Sequence, residues 1–206
     1  MVRASVRFLK ASWPQGILMT RRCVDHPYRT VRRELRFAVP FADFTRALES
    51  LLGTIEPAVL AEIARYSPER AREELASMVG LSGFALFQKV EHGTLLKSLV
   101  GRGVHATTYV FGNALIAIEM TKHEPKVGLY VPLRLHVSKS DPGEVTVTYD
   151  IPSATLAQFH SPSVDAVASS LDTKVDKLVD VAAALASKTR GRRLHPPVRM
   201  AEGGRR

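Results

Sequence analysis

One cysteine, Cys23, is all that the 206 residues hold, and one cysteine closes no internal disulfide. That usage fits a reducing compartment, so the protein is expected to be cytoplasmic. Cys23 follows Arg21 and Arg22, which favour a thiolate, although a spare cysteine in a loose segment is the plainer reading. With His26 it makes too small a set for a structural metal. No apolar run approaches the roughly 18 to 20 residues that a membrane span needs, so the chain is expected to be soluble or at most peripherally attached. The strand–glycine loop–helix unit of dinucleotide and P-loop sites is missing. So are the Gly-x-Ser-x-Gly elbow and the His-Glu-x-x-His helix. No metal and no cofactor is therefore expected, and no reaction is singled out.

Acid is scarce as well, but only at the ends. The formal charge is +9. Residues 1–24 hold five bases and no acid, and residues 188–206 hold seven bases and one acid. The middle, 25–187, holds 17 bases against 19 acids. The excess charge thus belongs to a basic leader and a basic tail, both expected to be disordered, rather than to a docking face. The leader resembles an organelle transit peptide in composition, an ordinary unstructured leader, or the product of an early start codon. Such ends can touch nucleic acid or anionic membrane without specificity.

The apolar share of 45% is that of one globular domain, expected over 25–187. Leu35, Phe37 and Val39 alternate as a strand. Pro40 opens a helix with Phe41, Phe44, Leu48 and Leu51 on one face, closed by Gly53. Thr54 to Gly80 reads as helix broken once, with Ser67-Pro68-Glu69 as a cap. Strands follow at 84–89 and 104–111, separated by a short helix over 94–100. Gly112-Asn113 caps a helix to about His123. A strand over 129–137 and another over 145–149 flank the turn Ser140-Asp141-Pro142-Gly143. Setting Val137 against Val145, Leu135 against Val147 and Leu133 against Tyr149 puts every apolar residue on one face. Pro132, inside that strand, is expected at an edge or a bulge.

The strongest helix comes last. Ser161 and Pro162 open it, and Val164, Ala168, Leu171, Val175, Leu178, Ala182 and Leu185 form one stripe. The stripe suits packing on a sheet, and its spacing also permits a dimer seam. The order of elements predicts an α+β two-layer sandwich, with a mostly antiparallel sheet and helices packed on one face.

Four short motifs stand in order at Tyr109-Val-Phe-Gly112-Asn113, Met120, Gly128-Leu-Tyr130-Val-Pro132-Leu-Arg134 and Tyr149-Asp150-Ile-Pro152-Ser153. In these the chain resembles the bacterial "domain of unknown function 302" family, over roughly 31–187. Ala114 departs from the proline that the family usually has after the Gly-Asn pair. The resemblance implies a small α/β fold and a homodimer, and it implies no activity.

The sheet face away from the apolar set is expected to gather His105, Thr107, Tyr109, Tyr130, Arg134, His136, Thr146 and Thr148. Such a face suits a ligand floor or a subunit interface. Arg134 and Asp150 are expected to be diagonal neighbours, either a plain salt bridge or an arginine fork oriented by the acid. Asn113 offers a helix start to an anion, or is simply a cap. The candidate ligand residues are Tyr109, Asn113, Tyr130, Arg134, His136 and Asp150. The leading expectation is a noncatalytic ligand-binding or regulatory module, taking a small anionic or aromatic ligand and acting as a homodimer. Two further readings stand beside it. One is an enzyme in which Arg134 and Asp150 orient substrate and a histidine moves protons. The other is nucleic-acid or membrane association through the basic ends.

Overall fold

A computed structural model describes residues 22–139 and 144–194. Among the described residues the first regular element is β1 (Arg32–Phe37), followed by α1 (Phe41–Leu51) with Pro40 as its N-cap. The apolar stripe of α1 is buried through Phe44, Leu48 and Leu51. Gly53–Thr54 is not helix but a short strand, β2. Gly53 and Gly80 explain the placement. A Cβ on Gly80 would lie 2.4 Å from the amide nitrogen of Gly53, so two backbones pass at touching distance. Helices α2 (Pro57–Glu62) and α3 (Pro68–Ser77) follow, and Ser67 caps α3 through the amide of Arg70.

Strand β3 (Ala85–Glu91) leads into α4 (His92–Val100), which Gly101 ends in the left-handed conformation at φ 69°. Then come β4 (Ala106–Gly112), α5 (Ala114–Thr121) and a 3-10 turn over Pro125–Leu129. The hairpin is β5 (Leu133–Lys139) and β6 (Val145–Asp150), after which α6 (Pro152–Leu156) and α7 (Pro162–Leu194) complete the described residues. The expected leader and tail lie largely outside the described residues, and α7 runs on past residue 187 to Leu194.

The sheet order is β1-β6-β5-β4-β3-β2, antiparallel throughout except for the β2–β3 pair. The fold is the expected α+β sandwich. Val164, Ala168, Leu171, Val175, Leu178 and Ala182 of α7 are buried in the same core as Phe44, Leu135 and Val147. The stripe as far as Ala182 therefore covers this chain's own sheet and α1, not a dimer seam, while Leu185, its last expected member, is exposed.

Two expectations on the hairpin change. The strand begins at Leu133, so Leu129 lies in the 3-10 turn, exposed, and Pro132 precedes the strand instead of interrupting it. The register is also displaced by two residues: Leu135 faces Tyr149 and Val137 faces Val147. A shift of two keeps every side chain on its own face, so the apolar pattern is blind to it.

One row of partners crosses the helix-covered face, running Lys89, Tyr109, Leu135, Tyr149 and Arg33. Both flanks of the row bind an acid on a helix. Tyr109 donates to Glu49 Oε1 of α1 at 2.7 Å, and Lys89 reaches the same oxygen at 2.9 Å. Arg33 donates to both oxygens of Asp176 of α7 at 2.7 and 2.6 Å, and the Tyr149 hydroxyl donates to the same carboxylate.

Candidate ligand site

The 3-10 turn over Pro125–Leu129 delivers Tyr130 to the end of the sheet, where its amide closes the turn on the Val127 carbonyl at 2.8 Å. Two other segments meet it there. Tyr28, from the extended arm before β1, packs edge-on against Tyr130 at 5.8 Å and 84°. Phe159, from the turn after α6, does the same at 5.8 Å and 70°. Such edge-to-face pairs suit the ring quadrupoles. The Tyr130 hydroxyl donates to Gln158 Oε1 at 3.2 Å, and the Thr30 and Thr155 hydroxyls lie 2.6 Å apart, which fastens the arm. The Tyr130 hydroxyl beside it, and then burial, push the Tyr28 phenol above its ordinary range.

Three cavities surround this corner. One of about 990 Å³ lies against Tyr28, Tyr130 and Phe159, with His26, Lys126 and His160 at its walls. A smaller one of about 90 Å³ holds Tyr28, Tyr130, Arg134, Asp150 and Thr155. A third, of about 260 Å³, lies between the end of β5 and α5. Of the six candidate residues, Tyr130, Arg134 and Asp150 thus share one cavity. The pairing of Leu135 with Tyr149 sets Arg134 directly across from Asp150 instead of diagonal to it, and the expected salt bridge is not formed: among the described residues no ion pair joins Arg134 to Asp150 or to any other acid.

His136 lies two residues further along the open face of β5. There the Thr108 hydroxyl bridges His136 Nδ1 at 2.9 Å and His92 Nε2 at 3.1 Å, with ring centroids 5.9 Å apart. Burial, and then the charge of His92, hold His136 below the ordinary histidine range. Neither His136 nor His105 lines the cavity of Arg134.

The other two candidates stand elsewhere. Tyr109 is buried on the helix-covered face, not on the open one. Burial, followed by its bond to Glu49, drives its phenol well above the usual range. Thr107 is buried on that same face, and the His105 ring lies tilted against Phe41, with centroids 5.1 Å apart. The expected polar face therefore divides between the two sides of the sheet. Asn113 is a cap: its Oδ1 accepts from the amides of Leu115 and Ile116 at 2.9 and 3.3 Å, and its Nδ2 donates to the Gly83 carbonyl at 2.9 Å. Its polar atoms are committed to structure.

Tyr28, Phe159 and His92 join these surroundings without having been expected there. Tyr28 and Phe159 lie outside any periodic element, so nothing in the pattern aimed them at Tyr130. Among the described residues, no group of three or more His, Cys, Asp or Glu gathers as a metal site would require.

A match to the family described as "Domain of unknown function DUF302" covers residues 59–182. Among curated proteins, the fluoride-specific ion channel FluC 1 of Brucella suis biovar 1 (strain 1330) is 27% identical over 135 residues, 65% of this chain and 52% of that protein. The FluC 1 of Brucella abortus biovar 1 (strain 9-941) is 27% identical over 135 residues, 65% of this chain and 49% of that protein. The chain spans about half the length of these curated relatives. Among solved structures, an uncharacterized conserved protein DUF302 from Bacillus stearothermophilus superimposes with a TM-score of 0.52. It is 13% identical and covers 73% of this chain and 97% of its own, which speaks to the fold. Among the described residues, no helix is long and apolar enough to cross a membrane.

Proposed function

The chain belongs to the DUF302 family, a membership that fixes a fold and names no reaction, and on that premise we propose that it is a noncatalytic ligand-binding or regulatory module. Its seat for a small organic anion lies where Tyr28, Tyr130 and Arg134 meet. The observation that carries the reading is the state of Arg134. Its guanidinium joins no ion pair among the described residues, yet it shares a cavity with two tyrosines. A planar five-donor fork in that state suits a carboxylate or phosphate, and the flanking rings suit a flat apolar body. The reading is noncatalytic because the His92–Thr108–His136 group stands apart from that cavity.

The module acts as a homodimer in the cytoplasm. Support for the dimer comes from the sheet face away from α1 and α7, where His136, Thr148 and Glu34 continue one row and Glu34 is exposed. Support for the compartment comes from the single cysteine, Cys23. The relatives named as fluoride-specific ion channels are about twice as long as the shared stretch. The reading takes that stretch as a module beside other machinery, not as the conductor.

Native mass spectrometry with added benzoate tests the reading. Wild-type dimer retains benzoate, and Arg134→Ala and Tyr130→Ala each lose at least 10-fold in affinity. Equal retention by both variants and wild type overturns the site, and a monomer overturns the dimer.

A further inference from the structure

The 260 Å³ cavity beside α5 has a different character from the aromatic corner. Its walls are Phe84, Phe87, Ile116, Met120 and Leu171, together with the segment Val131 to Leu133. The polar side chains at its edge are Asn113, whose polar atoms serve the helix cap, and Thr121. Gly112 keeps one wall thin: a Cβ there would sit 3.3 Å from Pro132 Cβ and 3.7 Å from Phe87 Cε2. An apolar cavity of about 150 Å³ is enough to take a benzene ring. This one has room for a longer apolar chain.

Pro132 and Leu133 line this cavity and also the cavity of Arg134. Leu133 and Arg134 point to opposite faces of the sheet, as neighbours in a strand must. The two cavities therefore meet around the end of β5, at exposed Pro132. Two residues of strand span only about 7 Å, so a few methylenes bridge the distance.

We propose that the ligand is an amphiphile, a medium-chain acyl carboxylate whose head lies on Arg134 and whose tail turns past Pro132 into the cavity beside α5. The proposal rests on the anion-binding reading above and adds the tail. Charge complementarity selects the head, since a guanidinium without an ion pair among the described residues stands at one end. The apolar lining selects the tail, because burying methylenes there removes them from water at no polar loss. Asp150 shares the head cavity, so the carboxylate must face Arg134 on the side away from it.

The test is isothermal titration of the full chain with decanoate, decanol and benzoate. Decanoate binds wild type at least 10-fold more tightly than decanol does. Arg134→Gln removes that advantage. Ala117→Phe, which fills the cavity, and Ile118→Asp, which charges its half-exposed rim, each weaken decanoate at least 10-fold and leave benzoate unchanged. Ile118→Asp keeps the test sound if Ala117→Phe fails to fold. Decanoate binding that ignores both cavity variants overturns the tail while the anion site stands. Decanoate binding that ignores Arg134→Gln overturns the head. A wild type that binds neither benzoate nor decanoate overturns both readings.

Discussion

Replacing Asp176 by asparagine removes a charge from one flank of the sheet and little else. In the native protein that carboxylate accepts two bonds from Arg33 Nη1, one on each oxygen, and the hydroxyl of Tyr149. Burial alone would raise the acid, but the bonds from Arg33 and Tyr149 outweigh it and hold Asp176 below the usual carboxylate range. Tyr149, 5% exposed, is pushed up to about 12, first by burial and then by its bond to the acid. A charge-assisted bond contributes about 1.5–3 kcal/mol when well shielded. Here the Arg33 and Asp176 side chains are 36% and 40% exposed, so water screens the pair. The discounted loss for Asp176→Asn is about 1–2 kcal/mol. For a domain of this size that is a fall in Tm of roughly 2–8 °C. Urea unfolding of wild type, Asp176→Asn, Arg33→Gln and the double variant measures the coupling, expected at about 1 kcal/mol. The pH sign follows from the direction of the shift. An acid whose folded value is depressed contributes fully above its unfolded value of about 3.9, and the contribution disappears as pH falls through the lower folded value. The gap between wild type and Asp176→Asn is therefore constant near neutrality and closes below about pH 4. A coupling indistinguishable from zero, or a gap that ignores acid, would refute the reasoning.

Two further outcomes are expected. Asn113→Ala strips two amides of α5 of their acceptor and frees the Gly83 carbonyl, and it lowers stability by about 1–2 kcal/mol in urea unfolding. Benzoate affinity in that variant stays as in wild type, because the residue is a cap. His136, held down by burial and by His92, contributes stability that is full above the ordinary histidine value of about 6.5 and is lost as pH falls below it. Tm measured from pH 7.5 to 5 therefore falls more steeply in wild type than in His136→Gln, and parallel curves would sink that account.

Much of the fold was legible because period and punctuation agreed. The stripe of α7, the Pro40 and Ser67 helix starts and the Asn113 cap each rest on a local rule that the tertiary structure did not override. What failed had no local signal. The hairpin register slipped by two because alternation has a period of two, and both registers bury the same residues. Tyr109 fell on the wrong face because its neighbours Val104, Ala106 and Val110 look more apolar than His105 and Thr107 do. The volume of the tyrosine ring, with Glu49 waiting for its hydroxyl, decided otherwise. At the candidate site, Arg134 and Asp150 lie on strands whose alternation is legible in the sequence. Tyr28 and Phe159 come from irregular chain, where position is set by contacts hundreds of atoms away and not by spacing.

The row from Lys89 to Arg33 has a mechanical meaning. Apolar burial between a helix layer and a sheet has no direction, so grease alone would let one layer glide or pivot over the other. One polar pin would stop the gliding and leave the pivot. This protein has two, Glu49 on the Tyr109 flank and Asp176 on the Tyr149 flank. Two strand spacings, about 10 Å, separate the tyrosines. The pins sit on different helices, but α1 and α7 pack against each other, so the two together leave the layer no in-plane freedom and set its bearing like a plate held by two bolts.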